Sequence, residues 1–313
     1  MSHTLTLFAG SANVELAREV ARQLGITLGA RTVERFPDGE LSVQLEESVR
    51  GHDVYVVHPT APPVNDNLME LLLWADACRR AAAARITAII PYVGYARADR
   101  RQGKRGPVTA RAMADALQRA GVGQVVTVDV HSPQLEGFFH VPFENLTAVP
   151  LMCDALHEMV TPDTVVVAPD LGAVRLATTY GQRLGLPVAI CRKERRSGTE
   201  VRVTRVIGDV RDHPCVVVDD MITTAATVVE AIRAIAGEGA RDGPLVAATH
   251  GVLVDDALGR MAHAGVRELL VTDTIAARPD GQPVAMRTVS VARLIAEAIR
   301  RLAREGSLRD LIA

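Results

Sequence analysis

Aromatic residues are scarce in this chain of 313 residues, of which phenylalanine, tryptophan and tyrosine make up only 3%. Hydrophobic residues nevertheless reach 48%, so the core has to be built from valine, leucine, isoleucine and alanine. The formal net charge is -2, and the chain lacks the basic surface interleaved with aromatic rings that is typical of nucleic-acid-binding proteins. We therefore expect no nucleic-acid partner.

Cysteine is sparse as well. The four cysteines stand far apart in apolar surroundings without a Cys-x-x-Cys pair, which favours reduced, mostly buried thiols. The amino-terminal segment lacks the basic stretch and long apolar run of a signal peptide, and no apolar run approaches the ~20 residues of a membrane span. These absences predict a cytoplasmic protein without a signal peptide or a membrane partner.

Runs of β-branched residues alternate with helical patterns along the whole chain, as in the strand pattern Val165–Ala168 and the helix pattern Val14–Leu24. Such alternation is typical of parallel sheets covered by helices on both faces. The runs Leu41–Gln44 and Val201–Ile207 alternate apolar with polar residues, which predicts half-exposed strands at an edge or in a flap. The length favours two domains, and we predict them at residues 1–149 and 150–313, with the last helix a candidate to pack back on the first domain.

One strand pattern ends in an acidic pair, Asp219 and Asp220. The turn that follows has small and hydroxyl side chains; its residues are Thr223, Thr224, Ala225, Ala226 and Thr227. Ligands bind at the carboxyl ends of parallel strands, carboxylates accept hydrogen bonds from sugar hydroxyls, and a turn before a helix presents N–H groups to an anion. The segment therefore predicts a sugar phosphate site.

A second candidate site is a cluster of cations in the sequence RADRRQGKR; they are Arg97, Arg100, Arg101, Lys104 and Arg105. Glycines stand among them at positions 103 and 106. A mobile basic lid that closes over a triphosphate has this composition. A solvated surface loop is the alternative.

Several segments taken together resemble the ribose-phosphate pyrophosphokinase family, whose members are also called phosphoribosyl pyrophosphate synthetases. In chain order these segments are ERFPDGELSVQ, NDNLMELL, AIIPYVGYARADRR, TVDVHSPQLEGFF, VAPDLGAVR, CRKERR, IGDV and VVVDDMITTAAT. They cover essentially the whole chain. The resemblance implies an α/β fold of two tandem phosphoribosyltransferase-type domains, with parallel sheets flanked by helices.

The resemblance also implies a reaction, in which the β,γ-diphosphoryl group of MgATP moves to the 1-hydroxyl of ribose 5-phosphate and AMP is released. Such a transfer depends on in-line positioning and charge neutralisation. It further implies Mg²⁺ as cofactor and a homo-oligomer, commonly a hexamer built from dimers, with the active site at the domain interface and a nucleotide loop from a neighbouring subunit. The alternatives are a non-catalytic regulatory paralogue, a pyrophosphokinase for another sugar phosphate, and a phosphoribosyltransferase, which would not need the nucleotide segments.

Site residues follow from the resemblance position by position. Asp219 and Asp220 would bind the ribose hydroxyls, and the turn at 223–227 would hold the 5-phosphate. Lys193 and Arg195 would stabilise charge on the transferred group. The residues implied to bind ATP are Phe36, Asp38, Gly39, Glu40, Arg97, Ala98, Asp99 and Arg100. The residues implied at the metal are His131 and Asp170, although Mg²⁺ prefers oxygen ligands to histidine.

The phosphate turn departs from the family pattern. Most bacterial members have Asp-Thr-Gly-Gly-Thr where this chain has Thr-Thr-Ala-Ala-Thr, so Ala225 and Ala226 replace glycines. Glycine reaches a positive φ angle and lets a ligand approach the backbone closely, whereas alanine resists both. If either position needs a positive φ angle, we expect weaker binding of the sugar phosphate. Ala98 stands where the family usually has glutamine, which removes an amide that could contact the adenine.

Overall fold

The computed structural model describes residues 4–101, 103, 105–197, 200–277 and 281–312, and the side chains of residues 193–204 lie outside this description. The strands are β1 (Leu5–Ala9), β2 (Arg31–Arg35), β3 (Leu41–Leu45), β4 (Asp53–Val57), β5 (Arg85–Ile90), β6 (Gln124–Val128), β7 (Phe143–Leu146), β8 (Val165–Ala168), β9 (Val188–Ser197), β10 (Glu200–Ile207), β11 (Cys215–Ile222), β12 (Leu245–Gly251), β13 (Glu268–Thr272) and β14 (Ala285–Val289). The α-helices are α1 (Val14–Leu24), α2 (Val64–Arg80), α3 (Thr109–Ala120), α4 (Val149–His157), α5 (Val174–Leu184), α6 (Ala226–Gly237), α7 (Ala257–His263) and α8 (Ala292–Leu302). Short 3₁₀ helices lie at Ser11–Asn13 and Pro133–Phe138.

The chain divides into two compact units. Unit 1 comprises residues 1–147, 274–276 and 290–313, and unit 2 comprises residues 148–273 and 277–289. Pro150, where the sequence predicted the domain boundary, lies in the first turn of α4, a position that tolerates proline because its N–H would have no helical partner. The division at 149 and 150 stays a prediction.

Unit 1 is built on a five-stranded sheet in the order β1-β4-β5-β6-β7, with every neighbouring pair parallel. Its core contains the ring pair Phe8 and Trp74, whose centroids lie 5.2 Å apart. Helix α8 packs against α1, and the carboxyl-terminal segment reaches β7, where Thr147 N donates to Leu311 O at 2.8 Å. The strands β2 and β3 form a separate antiparallel hairpin, and β3 contacts α2.

A polar cluster is buried in unit 1. His58 Nε2 lies 2.9 Å from Asn67 O, and His58 Nδ1 lies 3.7 Å from Glu70 Oε1. Glu70 accepts hydrogen bonds from Ser11 N at 2.8 Å and from Trp74 Nε1 at 3.2 Å. Because the Asn67 carbonyl can only accept, Nε2 carries the proton of the neutral imidazole. The lone pair of Nδ1 then faces the Glu70 carboxylate.

Unit 2 is built on a seven-stranded sheet in the order β10-β9-β8-β11-β12-β13-β14. All neighbouring pairs are parallel except β10 with β9. The predicted α/β class with parallel sheets flanked by helices is thus confirmed. β10 forms one edge of this sheet, and β3 lies in the separate hairpin, so both alternating runs fold as strands away from the sheet centres.

Two strands were missed by the sequence analysis. β2, with the sequence RTVER, has polar residues at most positions, and β7, with the sequence FENL, has two polar residues between two apolar ones, so neither shows an apolar run. Predicted buried thiols are confirmed, since all four cysteines are free and buried. No helix within the described residues is long and apolar enough to cross a membrane.

Candidate functional site

The acidic pair lies near the carboxyl end of β11, but the strand extends further than predicted. β11 continues to Ile222 because Met221 and Ile222 still pair with β12. Its pairing with β8 stops at Val217, so among the described residues no strand pairs with that side of β11 at Asp219 and Asp220. The two carboxylates therefore lie beyond the end of the pairing with β8.

The two carboxylates interact closely. Asp220 N donates to Asp219 Oδ1 at 2.9 Å. Burial raises the pKa of Asp219 to about 8, with further contributions from Asp220 and from Asp170. Asp170 follows β8, so its position at the same edge of the parallel sheet accounts for its effect on Asp219. This edge of unit 2 concentrates negative charge that hydroxyl donors or a cation would stabilise.

In the turn after β11, Ala225 has the positive φ angle and Ala226 does not. Ala225 has φ 62° and ψ 6° and stands immediately before α6, whereas Ala226 is the first residue of that helix. Ala225 is buried, with 4% of its surface exposed. Among the described residues, no acceptor takes the N–H groups of Thr224 and Ala225. These groups lie at the start of a helix, where they are available to an anion.

The basic segment follows β5 in unit 1 and has no regular secondary structure. Arg97, Arg100 and Arg101 are exposed, while Lys104 lies outside the described residues. Ala98 is held by its backbone, because Ala98 N donates to Tyr95 O at 2.8 Å and Ala98 O accepts from Ala110 N at 3.2 Å. Its methyl group offers no hydrogen bond to a ligand.

A cavity of about 260 Å³ lies beside this segment; its lining residues are Arg97, Asp99, Arg100, Arg101, His131, Ser132 and Gln134. Pockets for small-molecule ligands usually measure roughly 300–1,000 Å³, so this cavity has room for only part of a nucleotide. Asp99 accepts hydrogen bonds from Ser132 Oγ at 2.7 Å and from Arg100 Nε at 3.0 Å. These two bonds hold the pKa of Asp99 below its ordinary value, so the carboxylate stays charged and anchors both side chains.

Ser132 and Gln134 were not among the predicted site residues. They belong to the segment that follows β6, and the parallel pairing of β5 with β6 brings the two following loops to one edge of the sheet. The signal was present in the sequence, since both residues stand within the HSPQ stretch after the predicted strand. Only the order of the strands, however, shows that this stretch lines the same cavity as the arginines of the basic segment.

The other predicted nucleotide residues form the tip of the β2–β3 hairpin. Phe36 N donates to Glu40 O at 2.8 Å, and Asp38 Oδ1 accepts from Glu40 N at 3.1 Å. Gly39 has φ 95°, which favours glycine at that position. Phe36 is 40% exposed, and an ion pair between Arg35 and Asp66 at 2.9 Å ties the hairpin to α2. The tip thus presents an aromatic face to solvent on a fixed base.

The predicted catalytic and metal residues are distributed over both units. Lys193 and Arg195 belong to β9, and their side chains lie outside the described part of the structure. His131 belongs to unit 1 and Asp170 to unit 2. Asp170 Oδ1 accepts from Gly172 N at 2.9 Å and from Ala173 N at 3.2 Å. Within the described residues, no three histidine, cysteine or acidic side chains gather as a ready metal cluster.

Comparisons with known proteins agree on one family. The family model described as the N-terminal domain of ribose phosphate pyrophosphokinase matches residues 5–121, and the phosphoribosyl synthetase-associated domain matches residues 199–313. The ribose-phosphate pyrophosphokinase of Gloeobacter violaceus is 44% identical over 98% of this chain and 92% of its own length. That of Thermotoga maritima is 41% identical over 99% of this chain and 98% of its own length.

The fold agrees with the sequence comparison. A crystal structure of phosphoribosylpyrophosphate synthetase from Mycobacterium smegmatis superposes with a TM-score of 0.89 at 41% identity, covering 97% of this chain and all of the other. Similarity at this level extends over both units and every segment from which the resemblance was inferred. The chain therefore belongs to the ribose-phosphate pyrophosphokinase family of enzymes.

Proposed function

We propose that this chain transfers the β,γ-diphosphoryl group of MgATP to the 1-hydroxyl of ribose 5-phosphate, giving phosphoribosyl pyrophosphate and AMP. The observation that supports this most directly is the end of β11, where an acidic pair adjoins a turn with available N–H groups. A sugar phosphate carries hydroxyl donors at one end and an anion at the other, which matches that combination.

Asp219 and Asp220 bind the 2- and 3-hydroxyls of the ribose in this proposal. Burial and the neighbouring acids disfavour the ionised form of Asp219, and hydroxyl donors from the sugar would stabilise that form. The turn at 223–227 holds the 5-phosphate through backbone N–H groups and threonine hydroxyls. Sugar binding and ionisation of the acidic pair are therefore coupled.

ATP binds through the residues of unit 1. Arg97 and Arg100 line the cavity after β5 and neutralise the triphosphate, and Asp99 fixes the orientation of Arg100. Phe36 stacks on the adenine through its exposed ring, while Asp38, Gly39 and Glu40 shape the hairpin tip around it. Because Ala98 offers no side-chain amide, the adenine must be recognised by the hairpin tip and by backbone groups.

Mg²⁺ is the proposed cofactor, and it would neutralise charge on the triphosphate. The acidic edge of unit 2 fits a hard cation in its chemistry, because its groups are carboxylate oxygens with mutually unfavourable charge. Asp170 uses Oδ1 for its own turn, and among the described residues Oδ2 has no donor, so it is open to a cation. His131 of unit 1 is also proposed as a metal residue, on the sequence resemblance alone.

The chemical step requires attack by the ribose 1-oxygen on the β-phosphorus, while the bond from that phosphorus to the α-phosphate oxygen breaks and AMP leaves. Lys193 and Arg195 are proposed to stabilise the charge on the transferred group, Lys193 as a point charge and Arg195 as a planar fork. Their support comes from the sequence motif on β9. A cytoplasmic homo-oligomer, a hexamer built from dimers, completes the proposal.

The decisive experiment measures AMP release from ATP and Mg²⁺ with and without ribose 5-phosphate, with the sugar product identified by mass spectrometry. Sugar-dependent AMP and a diphosphorylated ribose 5-phosphate are expected. AMP release with another pentose phosphate but not with ribose 5-phosphate would indicate a changed sugar preference. A folded protein that binds ATP and releases no AMP with any pentose phosphate would support a regulatory paralogue, which Ala225 and Ala226 in the turn already raise as an alternative.

A further inference from the structure

Three consecutive carbonyl groups, from the last residue of β11 into the turn that follows, accept hydrogen bonds from the segment that joins β12 to α7 and from α7 itself. Ile222 O accepts from Leu253 N at 2.9 Å, and Thr223 O accepts from Val254 N at 3.0 Å. Thr224 O accepts from Nη1 of Arg260 at 3.2 Å. The first two bonds use backbone donors, and the third depends on a single exposed side chain of α7.

The direction of these carbonyls fixes the direction of the N–H groups. In a trans peptide unit the C=O and the following N–H point to opposite sides. The carbonyls of Ile222 and Thr223 face the β12–α7 segment, and that of Thr224 faces Arg260 of α7. The N–H groups of the residues that follow each carbonyl therefore face away from these partners. Those N–H groups are the ones that the proposed function assigns to the 5-phosphate.

The peptide unit between Thr224 and Ala225 needs this restraint most. Ala225 has φ 62°, a conformation that costs about 1 kcal/mol or more for a residue with a Cβ atom. In the β12–α7 segment, Leu253 has φ 49° and Asp255 has φ 53°. Both the turn and the segment bonded to it therefore contain residues with positive φ angles. Strain of this kind persists only where surrounding contacts over-determine the backbone.

We propose that Arg260 is a positioning residue for the phosphate turn, holding the Thr224–Ala225 peptide unit so that its N–H faces the sugar phosphate. The inference rests on the proposed function of the turn. Arg260 acts through the Thr224 carbonyl and is not placed in contact with substrate. Its guanidinium also brings a positive charge close to the turn, and the test has to separate that charge from the hydrogen bond.

The test compares Arg260→Met, which removes the donor and keeps the aliphatic length, with Arg260→Lys, which keeps the charge. Arg241→Met is the matched control, because Arg241 is also an exposed arginine of unit 2 and pairs with Asp163 at 3.0 Å. For each protein we would measure kcat, the KM values for ribose 5-phosphate and ATP, and the Kd for ribose 5-phosphate by calorimetry. Hydrogen exchange of residues 222–228 reports the backbone directly.

We expect Arg260→Met to raise the KM and Kd for ribose 5-phosphate about tenfold, the usual scale for loss of a hydrogen bond to a charged group. The KM for ATP should stay within about twofold, and exchange of the turn amides should become faster. Arg260→Lys should recover part of the affinity, and Arg241→Met should match the wild type. If Arg260→Met does not fold, Arg260→Gln, whose side chain is shorter and uncharged, takes its place, and the affinity for ribose 5-phosphate should fall in the same direction.

Three results would overturn the inference while leaving the proposed function in place. One is an unchanged affinity for ribose 5-phosphate in Arg260→Met, and another is an equal loss of affinity for ATP. The third is full recovery by lysine with unaltered amide exchange, which would assign the effect to charge. Absence of AMP release by the wild type would overturn the proposed function alone, since the Kd for ribose 5-phosphate still tests Arg260. A wild-type protein that binds neither ribose 5-phosphate nor inorganic phosphate would overturn both.

Discussion

The hydroxyl of Ser132 donates a hydrogen bond to Asp99 at 2.7 Å and so joins the loop after β6 to the basic loop after β5. Asp99 in turn binds Arg100 Nε at 3.0 Å. The hydroxyl therefore fixes, through one carboxylate, the position of an arginine that lines the cavity. The bond thus links two loops that are far apart in the sequence.

Removing that hydroxyl gives the first prediction. Ser132→Ala should raise the KM for ATP about three- to tenfold with a smaller change in kcat, because one neutral-to-charged hydrogen bond of ~1–2 kcal/mol is lost. Steady-state kinetics at varied ATP measures it. Thr178→Ala, which removes a hydroxyl bonded to Val174 O within α5, serves as the control. A KM for ATP equal to that of the wild type would show that Asp99 holds Arg100 unaided.

The acidic pair predicts a stability that depends on pH. The pKa of Asp219 is raised from 3.8 to about 8, so the folded state binds a proton that the unfolded state has released. Stability is fully present below the unfolded pKa and is lost as pH rises through the folded pKa, at up to about 1.4 kcal/mol per pH unit. Asp219→Asn should remove this dependence.

The measurement is chemical denaturation of Asp219→Asn and the wild type in EDTA from pH 5 to pH 9, with the unfolding of unit 2 followed by hydrogen exchange. The variant should gain most over the wild type near pH 9 and least near pH 5. A constant difference across this range would contradict the raised pKa. Binding of ribose 5-phosphate should be lost in the same variant, because an amide cannot replace an ionised acceptor.

The two alanines of the phosphate turn predict changes of opposite sign. Ala225→Gly should stabilise the protein by ~0.5–1 kcal/mol, because glycine adopts φ 62° without the Cβ penalty. Ala226→Gly should destabilise it by ~0.5–1 kcal/mol, because Ala226 begins α6. Thermal unfolding of the two variants side by side is a matched test. Equal shifts of Tm would mean that the left-handed conformation at Ala225 carries no strain.

The buried cluster around His58 predicts sensitivity of unit 1 to acid. Burial lowers the pKa of His58 from 6.5. Burial raises the pKa of Glu70, but attraction to His58 once it is protonated, together with the hydrogen bonds from Ser11 and Trp74, holds that pKa below its ordinary value. Both groups have folded pKa values below their unfolded ones, so the stability they contribute is present above the unfolded pKa and is lost as pH falls through the folded pKa. For His58 this loss begins at about pH 6.5.

Trp74 makes this prediction measurable, because it is the single tryptophan of the chain and hydrogen-bonds Glu70. Denaturation followed by tryptophan fluorescence should show the wild type losing stability from pH 7 to pH 5. His58→Gln should flatten that loss, since glutamine does not titrate. His263→Gln, at an exposed histidine of α7, should leave it unchanged. A wild-type profile without slope between pH 7 and pH 5 would refute the assignment.

Buried segments were predicted well because their signal is local. The strand Val165–Ala168 and the helix Val14–Leu24 fold with the predicted bounds, since each is an apolar run or an amphipathic period ended by its own neighbours. β2 is a strand because it pairs with β3, and β7 because it pairs with β6. Their own sequences therefore do not predict them. The extension of β11 to Ile222 likewise comes from continued pairing with β12.

In the candidate site, too, local features could be predicted from the sequence and long-range contacts could not. The acidic pair and the turn lie close together in the sequence, so their positions at the end of one strand could be predicted. Ser132 meets Asp99 across 33 positions, and Arg260 meets Thr224 across 36 positions. Contacts at such separations follow from sheet order and helix placement, which a single sequence does not encode locally. The positive φ angle of Ala225 could not be predicted either, because alanine at a position does not indicate a left-handed conformation.

The packing of α8 against α1 has a consequence for how the protein is made. Unit 1 takes residues 290–313 from the far end of the chain, so its first 147 residues leave the ribosome without the helix that covers α1. At 5–20 residues per second, the roughly 140 residues in between take about 7–30 s to synthesise. Throughout that interval α8 cannot cover α1, so the surface of α1 that α8 buries in the folded protein is completed only after unit 2 has been synthesised.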